Sequence, residues 1–132
     1  RLREPLYKAG LTPKTPMAAR VLLRAIKNGA SPCFLADLRD DNGPSVPFFG
    51  RLARSTVFPA LLARTTGIPL YAGAAFRRPG ARFSIRIAPI PMPQTNNSAA
   101  DALVATQALQ RQYEAFIREA PEQWMWAHRK WE

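Results

Sequence analysis

Few residues in this chain are able to do acid–base or nucleophilic work. Among 132 residues there is one histidine, His128, and one cysteine, Cys33. Glu132 follows His128 by four positions. A histidine held by a carboxylate suits a general base, but the same spacing is more often a surface pair one helical turn apart. The stretch PEQWMWAHRKW (121–131) gathers all three tryptophans, the histidine and two cations. It reads either as a base in an aromatic setting or as an amphipathic terminal helix that closes a core and turns its cations outward. Cys33 lies in the apolar run CFLAD and reads as a buried, inert thiol. Glycine fingerprints for phosphate or dinucleotide binding are missing, no His/Cys/acid cluster has metal-ligand spacing, and no serine sits in a nucleophile elbow. Neither a metal nor an organic cofactor is expected, and catalysis carried wholly inside this chain is not expected either.

Two further stretches are candidate binding residues. Asp37 ends the apolar run and opens an irregular loop. It reads as a site acid, since ligands of open α/β sheets bind beyond the carboxyl ends of strands, or as a plain loop cap. VPFFG (46–50) places two phenylalanines in a Pro/Gly frame. They read as an apolar wall beside a pocket or as a plug for the core, and the residues alone favour the plug.

Charge narrows the partners. Nineteen Lys and Arg against nine Asp and Glu give a net charge of +10. That balance favours an anionic partner: nucleic acid, a membrane surface or a phosphorylated substrate. Arginine outnumbers lysine, which suits bidentate contacts to phosphate and carboxylate. The cations are spread along the chain with no recognition helix, which argues against nucleic acid. No stretch is long enough to span a bilayer, and no signal peptide is visible. The length fits one domain over 1–132, with 47% apolar residues for its core.

These residues must be positioned by a handful of elements. TPKTPMAARVLLRAIKNG predicts a helix capped at Thr15, with Pro16 in its first turn and Gly29 past its end. PCFLAD reads as a short buried strand ending at Asp37. LRDDNGPSVPFFG is too rich in Pro, Gly and Asp to be regular. STVFPALLARTTG predicts a second helix, capped by Ser55 or Thr56 and ended by Gly67. IPLYAGAAF reads as another buried strand, RRPGA as a turn, and RFSIRIAPI as an alternating strand with Phe83, Ile85 and Ile87 on one face. Ser98 and Asp101 resemble a capping box. The helix they open carries Ala102, Thr106, Leu109, Tyr113, Phe116, Ile117 and Ala120 on one face. Pro121 breaks it, and 121–131 forms a last short helix. The order is α/β, with a small, mostly parallel sheet covered by helices.

Three stretches together carry a resemblance: DLRDDNGPSVPFFGRLARSTVFPALLARTTGIPLY, then RRPGARFSIRI, then EAFIREAPEQWMWAHRKW. They are similar to the late acyltransferases of lipid A biosynthesis, the lauroyl/myristoyl acyltransferase family, over about Leu22 to Trp131. The resemblance implies the C-terminal part of a glycerol-phosphate-acyltransferase-like fold. It also implies transfer of a fatty acyl chain from an acyl carrier protein thioester to a hydroxyl of a phosphorylated lipid A precursor. The work would be done at the cytoplasmic face of the bacterial inner membrane, and a +10 chain suits the acidic carrier, the acceptor and an anionic leaflet alike. By the resemblance Asp37, Phe49, Gly50, Arg77 and Arg78 fall in the acceptor-binding region, with Arg3 matching an upstream arginine. The family's Asp-Gln pair stands here as Asp37-Leu38. Its general base, a histidine with an acid five positions on, has no counterpart in these residues. The expectation is therefore a C-terminal portion lacking the anchor and the catalytic box, inactive alone. The competing expectation is a basic, non-catalytic module for anionic membrane or nucleic acid.

Overall fold

The computed structural model describes residues 10–12, 15 and 17–131. The chain separates into two compact units, Arg1–Phe34 and Leu35–Glu132. The first contains helix α1 (Ala18–Lys27). Thr15 accepts the Ala18 N–H through its backbone carbonyl, and Met17, not a side-chain cap, occupies the N-cap. Gly29, at φ 83°, takes the left-handed turn that ends the helix, as expected. Cys33 is exposed, not buried, because residues 29–36 form no strand and so acquire no covering sheet.

The second unit holds β1 (Ser45–Phe48), β2 (Arg51–Arg54), α2 (Phe58–Thr66), β3 (Leu70–Arg78), β4 (Arg82–Ile90), α3 (Ser98–Glu119) and a 3-10 turn at Pro121–Gln123. Its strands form two separate antiparallel hairpins, β1–β2 and β3–β4. The expected mostly parallel sheet under helices is therefore wrong. A parallel pair needs a long crossover, and here each strand finds its partner across a turn of two or three residues. The stretch before Asp37 is not a strand. The supposed loop instead contains β1 and half of a tight hairpin, since Val46 and Phe48 alternate with Ser45 and Pro47 and bury their side chains.

Helix α2 begins at Phe58 with Pro59 in its first turn and ends on Gly67 at φ 72°. No side chain caps its N-terminus; Thr56 Oγ1 only accepts the Phe58 N–H at 3.4 Å. The cap of α3 is Asn97, whose side chain accepts from Ala100 N–H. Asp101 does not complete a capping box. It turns to Thr95 and Arg64 and, almost wholly buried, ties the start of α3 to α2. The Thr95 hydroxyl first, and Arg64 with it, hold its carboxyl below the ordinary range despite burial. The centre of the unit is Phe48, Ala53 and Ile117, with Phe49, Tyr113, Trp124 and Trp131 packed around them.

The last correction concerns the C-terminus. Beyond the 3-10 turn, residues 124–131 are not helical. They run as an irregular strap: isolated turns (Trp126 N–H to Trp124 O, His128 N–H to Met125 O) stand in place of a helical ladder, and the side chains of Trp124, Lys130 and Trp131 bond to the hairpin and the 37–39 segment.

Candidate functional site

The strap assembles a site around the tip of β1–β2. Phe48 pairs with Arg51, which leaves Phe49 and Gly50 as a two-residue turn. Both have positive φ, 50° and 75°, as the turn that matches strand twist requires. Glycine adopts that conformation freely, but a phenylalanine there is strained. The surroundings hold it. Phe49 N–H donates to Glu114 Oε1 at 2.9 Å, Glu114 Oε2 accepts from Arg118 at 2.9 Å, and that guanidinium lies 4.8 Å over the Phe49 ring. The ring also meets Phe48 edge-on at 5.0 Å.

Phe48 is fully buried and is flanked by Trp124 and Trp131 at 5.8 and 5.7 Å. Each indole also makes a directed bond. Trp131 Nε1 donates to Phe48 O at 3.0 Å, and Trp124 Nε1 donates to Asp37 Oδ2 at 3.0 Å. Asp37 is thus held by the same tryptophan that packs on the turn. Lys130 is wholly buried beneath them, donating to Leu38 O and Ser55 Oγ at 3.1 Å each, with its ammonium 5.1 Å from the Phe48 ring. Burial lowers its pKa to about 8, against an opposing pull from the charge of Asp37.

His128 has a structural task here. Its Nε2 accepts the Arg39 N–H at 3.2 Å, so the lone pair a base would use is occupied. Arg39 in turn donates to Trp131 O. The Asp37–Arg39 segment, the hairpin and the strap form one clasp. It explains two of the three tryptophans: Trp124 and Trp131 wall in Phe48 while their N–H groups bond to Asp37 and Phe48 O, and the more exposed Trp126 packs edge-on against Trp124.

Arg77 joins through the residue next to Trp124. Gln123 Oε1 accepts the Arg77 N–H at 2.7 Å, and Gln123 Nε2 donates to Arg77 O at 3.4 Å. No parallel sheet exists to bring Asp37 and Arg77 to one edge. What links them is the Gln123-Trp124 pair. The Arg78 side chain takes the other face of its hairpin, bonding Ser84 and lying over Phe76. Gly50 is exposed, with open space where a Cβ would stand. Arg3 lies outside the described residues.

Three participants escaped the sequence reading: Glu114, Lys130 and Gln123. Glu114 had a signal. Thr106, Gln110 and Glu114 stand four apart beside the apolar stripe of α3, and all three are buried. Gln110 Nε2 donates to Ala36 O. Among the described residues no group of histidines, cysteines and acids is placed to hold a metal, and no helix is long and apolar enough to cross a membrane.

No curated protein matches the chain. A comparison with known families matches residues 7–132 to the bacterial lipid A biosynthesis acyltransferases. A match over nearly the whole sequence means that this chain belongs to the bacterial lipid A biosynthesis acyltransferase family.

Proposed function

We propose that this chain supplies the acceptor side of an acyl transfer in lipid A biosynthesis. In that reaction an acceptor hydroxyl attacks the thioester carbonyl of acyl carrier protein. The C–S bond breaks, an ester forms, and the hydroxyl proton passes by way of a base to the carrier thiolate. The 132 residues contain no histidine with an acid five positions on, so the chain's part is binding and orientation. Arg77 faces an acceptor phosphate, Asp37 positions a hydroxyl or a neighbouring cation, and Phe49 with Gly50 forms the apolar wall. Arg78, next along β3, adds a second cation at the same end of the hairpin, and by the resemblance Arg3 corresponds to an acceptor-side arginine. The acidic carrier and an anionic cytoplasmic leaflet suit the +10 charge.

The observation that carries the reading is the strained Phe49. An aromatic residue at φ 50°, fixed by Glu114 and Arg118, is an expensive way to build a turn that asparagine or glycine makes easily. Such strain concentrates at ligand-binding positions. The test is binding of a phosphorylated, under-acylated lipid A precursor to the purified chain. Arg77→Ala should weaken binding by about 1.5–3 kcal/mol, the range for a hydrogen bond to a charged group. Arg77→Lys should recover only part, for want of a planar fork. The loss should vanish with a dephosphorylated precursor. With acyl carrier protein thioester added, the chain alone should give no turnover above a blank. Unchanged binding by Arg77→Ala, or turnover by the chain alone, would overturn the assignment.

A further inference from the structure

The β3–β4 hairpin turns its better apolar face away from the core. Residues of one face alternate along each strand, and cross-strand pairing sets Tyr71 against Pro89, Gly73 against Ile87, Ala75 against Ile85 and Arg77 against Phe83. Four large members of this face are open to solvent: Tyr71 at 55%, Phe83 at 63%, Ile85 at 70% and Ile87 at 68% exposure. The opposite face, with Ala72, Ser84 and Ala88, is the one that meets α3. There Phe76 touches Phe116 and Arg86 pairs with Glu119. A hairpin that merely padded the core would be the other way up. Contiguous apolar surface of this kind marks a contact with something else.

We infer that this face of the β3–β4 hairpin is a docking surface for an anionic lipid leaflet. Charge selects the partner first. Between Asp41 and Asp101 the chain has no acidic residue but seven arginines, and three of them, Arg77, Arg78 and Arg82, flank the hairpin turn. Aliphatic and aromatic side chains beside arginines at one end suit the boundary between acyl chains and phosphate headgroups. Size argues against a second copy of the chain. The face, from Tyr71 to Arg77 on one strand and from Phe83 to Pro89 on the other, is a patch of roughly 10 by 20 Å, far short of the ~800 Å² per partner of a stable interface. Two copies would also bring like-charged arginines together. Nucleic acid fits poorly, because the centre of the face is Ile85 and Ile87 over Gly73 and Ala75, and its two exposed rings, Tyr71 and Phe83, stand at opposite ends of the hairpin, too far apart to stack successive bases. Gly73 and Ala75 keep one side of the face low, so the isoleucines and Phe83 stand forward.

This deepens the proposed function by naming its membrane surface, and rests on it for the choice of a lipid partner. The experiment involves no acyl transfer and leaves Arg77 intact, so the two readings fail separately. The full chain is sedimented with sucrose-loaded vesicles of phosphatidylglycerol and phosphatidylethanolamine, and with phosphatidylcholine vesicles. Binding is expected to the anionic vesicles, at least about tenfold weaker to phosphatidylcholine, and weakened by added salt. Ile85→Ser with Ile87→Ser should reduce the anionic binding about tenfold or more. Arg82→Gln should reduce it several-fold. Both isoleucines face solvent, so circular dichroism should be unchanged. Should the double variant misfold, Ile87→Thr keeps the branched shape and should show a smaller loss of the same sign. Absence of wild-type binding to the anionic vesicles overturns the inference. So does undiminished binding by the folded serine variant. A dimer that the serine substitutions dissolve, with no vesicle binding, would assign the face to a second copy instead.

Discussion

The two hairpins of this molecule are opposites. β1–β2 is short, with four residues in each strand, and is gripped at its turn and along its inward face, where Val46, Phe48 and Ala53 are buried. Its turn is strained, its Phe48 is enclosed by two indoles, and Lys130 is buried below it. β3–β4 is more than twice as long and leaves one face open. Length is therefore not what fixes a hairpin here. A two-stranded ribbon is marginal by itself, and each of these draws its order from what it packs against. The first has a helix, a loop and a strap around it. The second has α3 on one face only. The difference teaches where precision lies: at the Phe49 turn, where backbone strain is tolerated because the neighbours overdetermine it.

The contrast can be tested with paired glycines. Gly43 passes so close to the end of β2 that an added Cβ would lie 2.0 Å from Ser55 O. Backbone cannot move aside as a flexible side chain can. Gly43→Ala should therefore destabilise the protein by about 3 kcal/mol or more, measured by denaturant unfolding. A loss under about 1 kcal/mol would mean that the clasp is looser than the structure shows.

Lys130 gives the next effect. Its folded pKa of about 8 lies below the ordinary lysine value of 10.5. Between those two values the unfolded chain binds more protons than the folded one, so stability rises with pH across that window and levels off above it. The gain approaches about 3 kcal/mol if the whole shift is realised. Below pH 8 the charged form is buried at full cost, and no further change comes from this group. The neutral amine keeps donors for Leu38 O and Ser55 Oγ. Lys130→Met should flatten this rise, so the difference between the two pH profiles isolates the group. A wild-type profile parallel to that of Lys130→Met would refute the buried-cation account.

The smallest effect is expected on the open hairpin. Gly73 has only Arg86 O, at 3.8 Å, near a would-be Cβ. Gly73→Ala should change stability by no more than about 0.5 kcal/mol, with alanine the better strand former. A large loss would show that the face is more tightly covered than its exposure suggests.

Much of the local structure was legible in the residues. The α2 and α3 spans follow from apolar spacing and from Pro59, Gly67 and Pro121, and the alternation of β4 is plain in RFSIRIAPI. The pairing was not legible. Period-two alternation says that a strand has two faces, but not which strand lies beside it, so antiparallel hairpins were mistaken for a parallel sheet. Nor does alternation say which face is covered: Phe83, Ile85 and Ile87 share one face, as their spacing predicts, and that face is exposed. The Asn97 cap was missed in favour of Ser98 because neighbouring polar residues compete for the same N–H groups. The site was half legible. VPFFG, Asp37 and PEQW stand out in the sequence, but the Lys130 cation, expected to turn outward, is buried, and only its four-residue spacing from Gln110 marks Glu114.

By itself, then, the sequence determined the family, the basic charge and the places where helices start and stop. Those depend on side-chain type and short spacing, which are local. Only the tertiary structure decided that the terminal tryptophans form a strap and not a helix, that His128 accepts a backbone N–H, and that a lysine is buried under Phe48. The physical reason is one of range. Each of those outcomes is set by a polar group finding its partner some 75 to 92 residues away, and nothing in the spacing of neighbours records which distant group will need it.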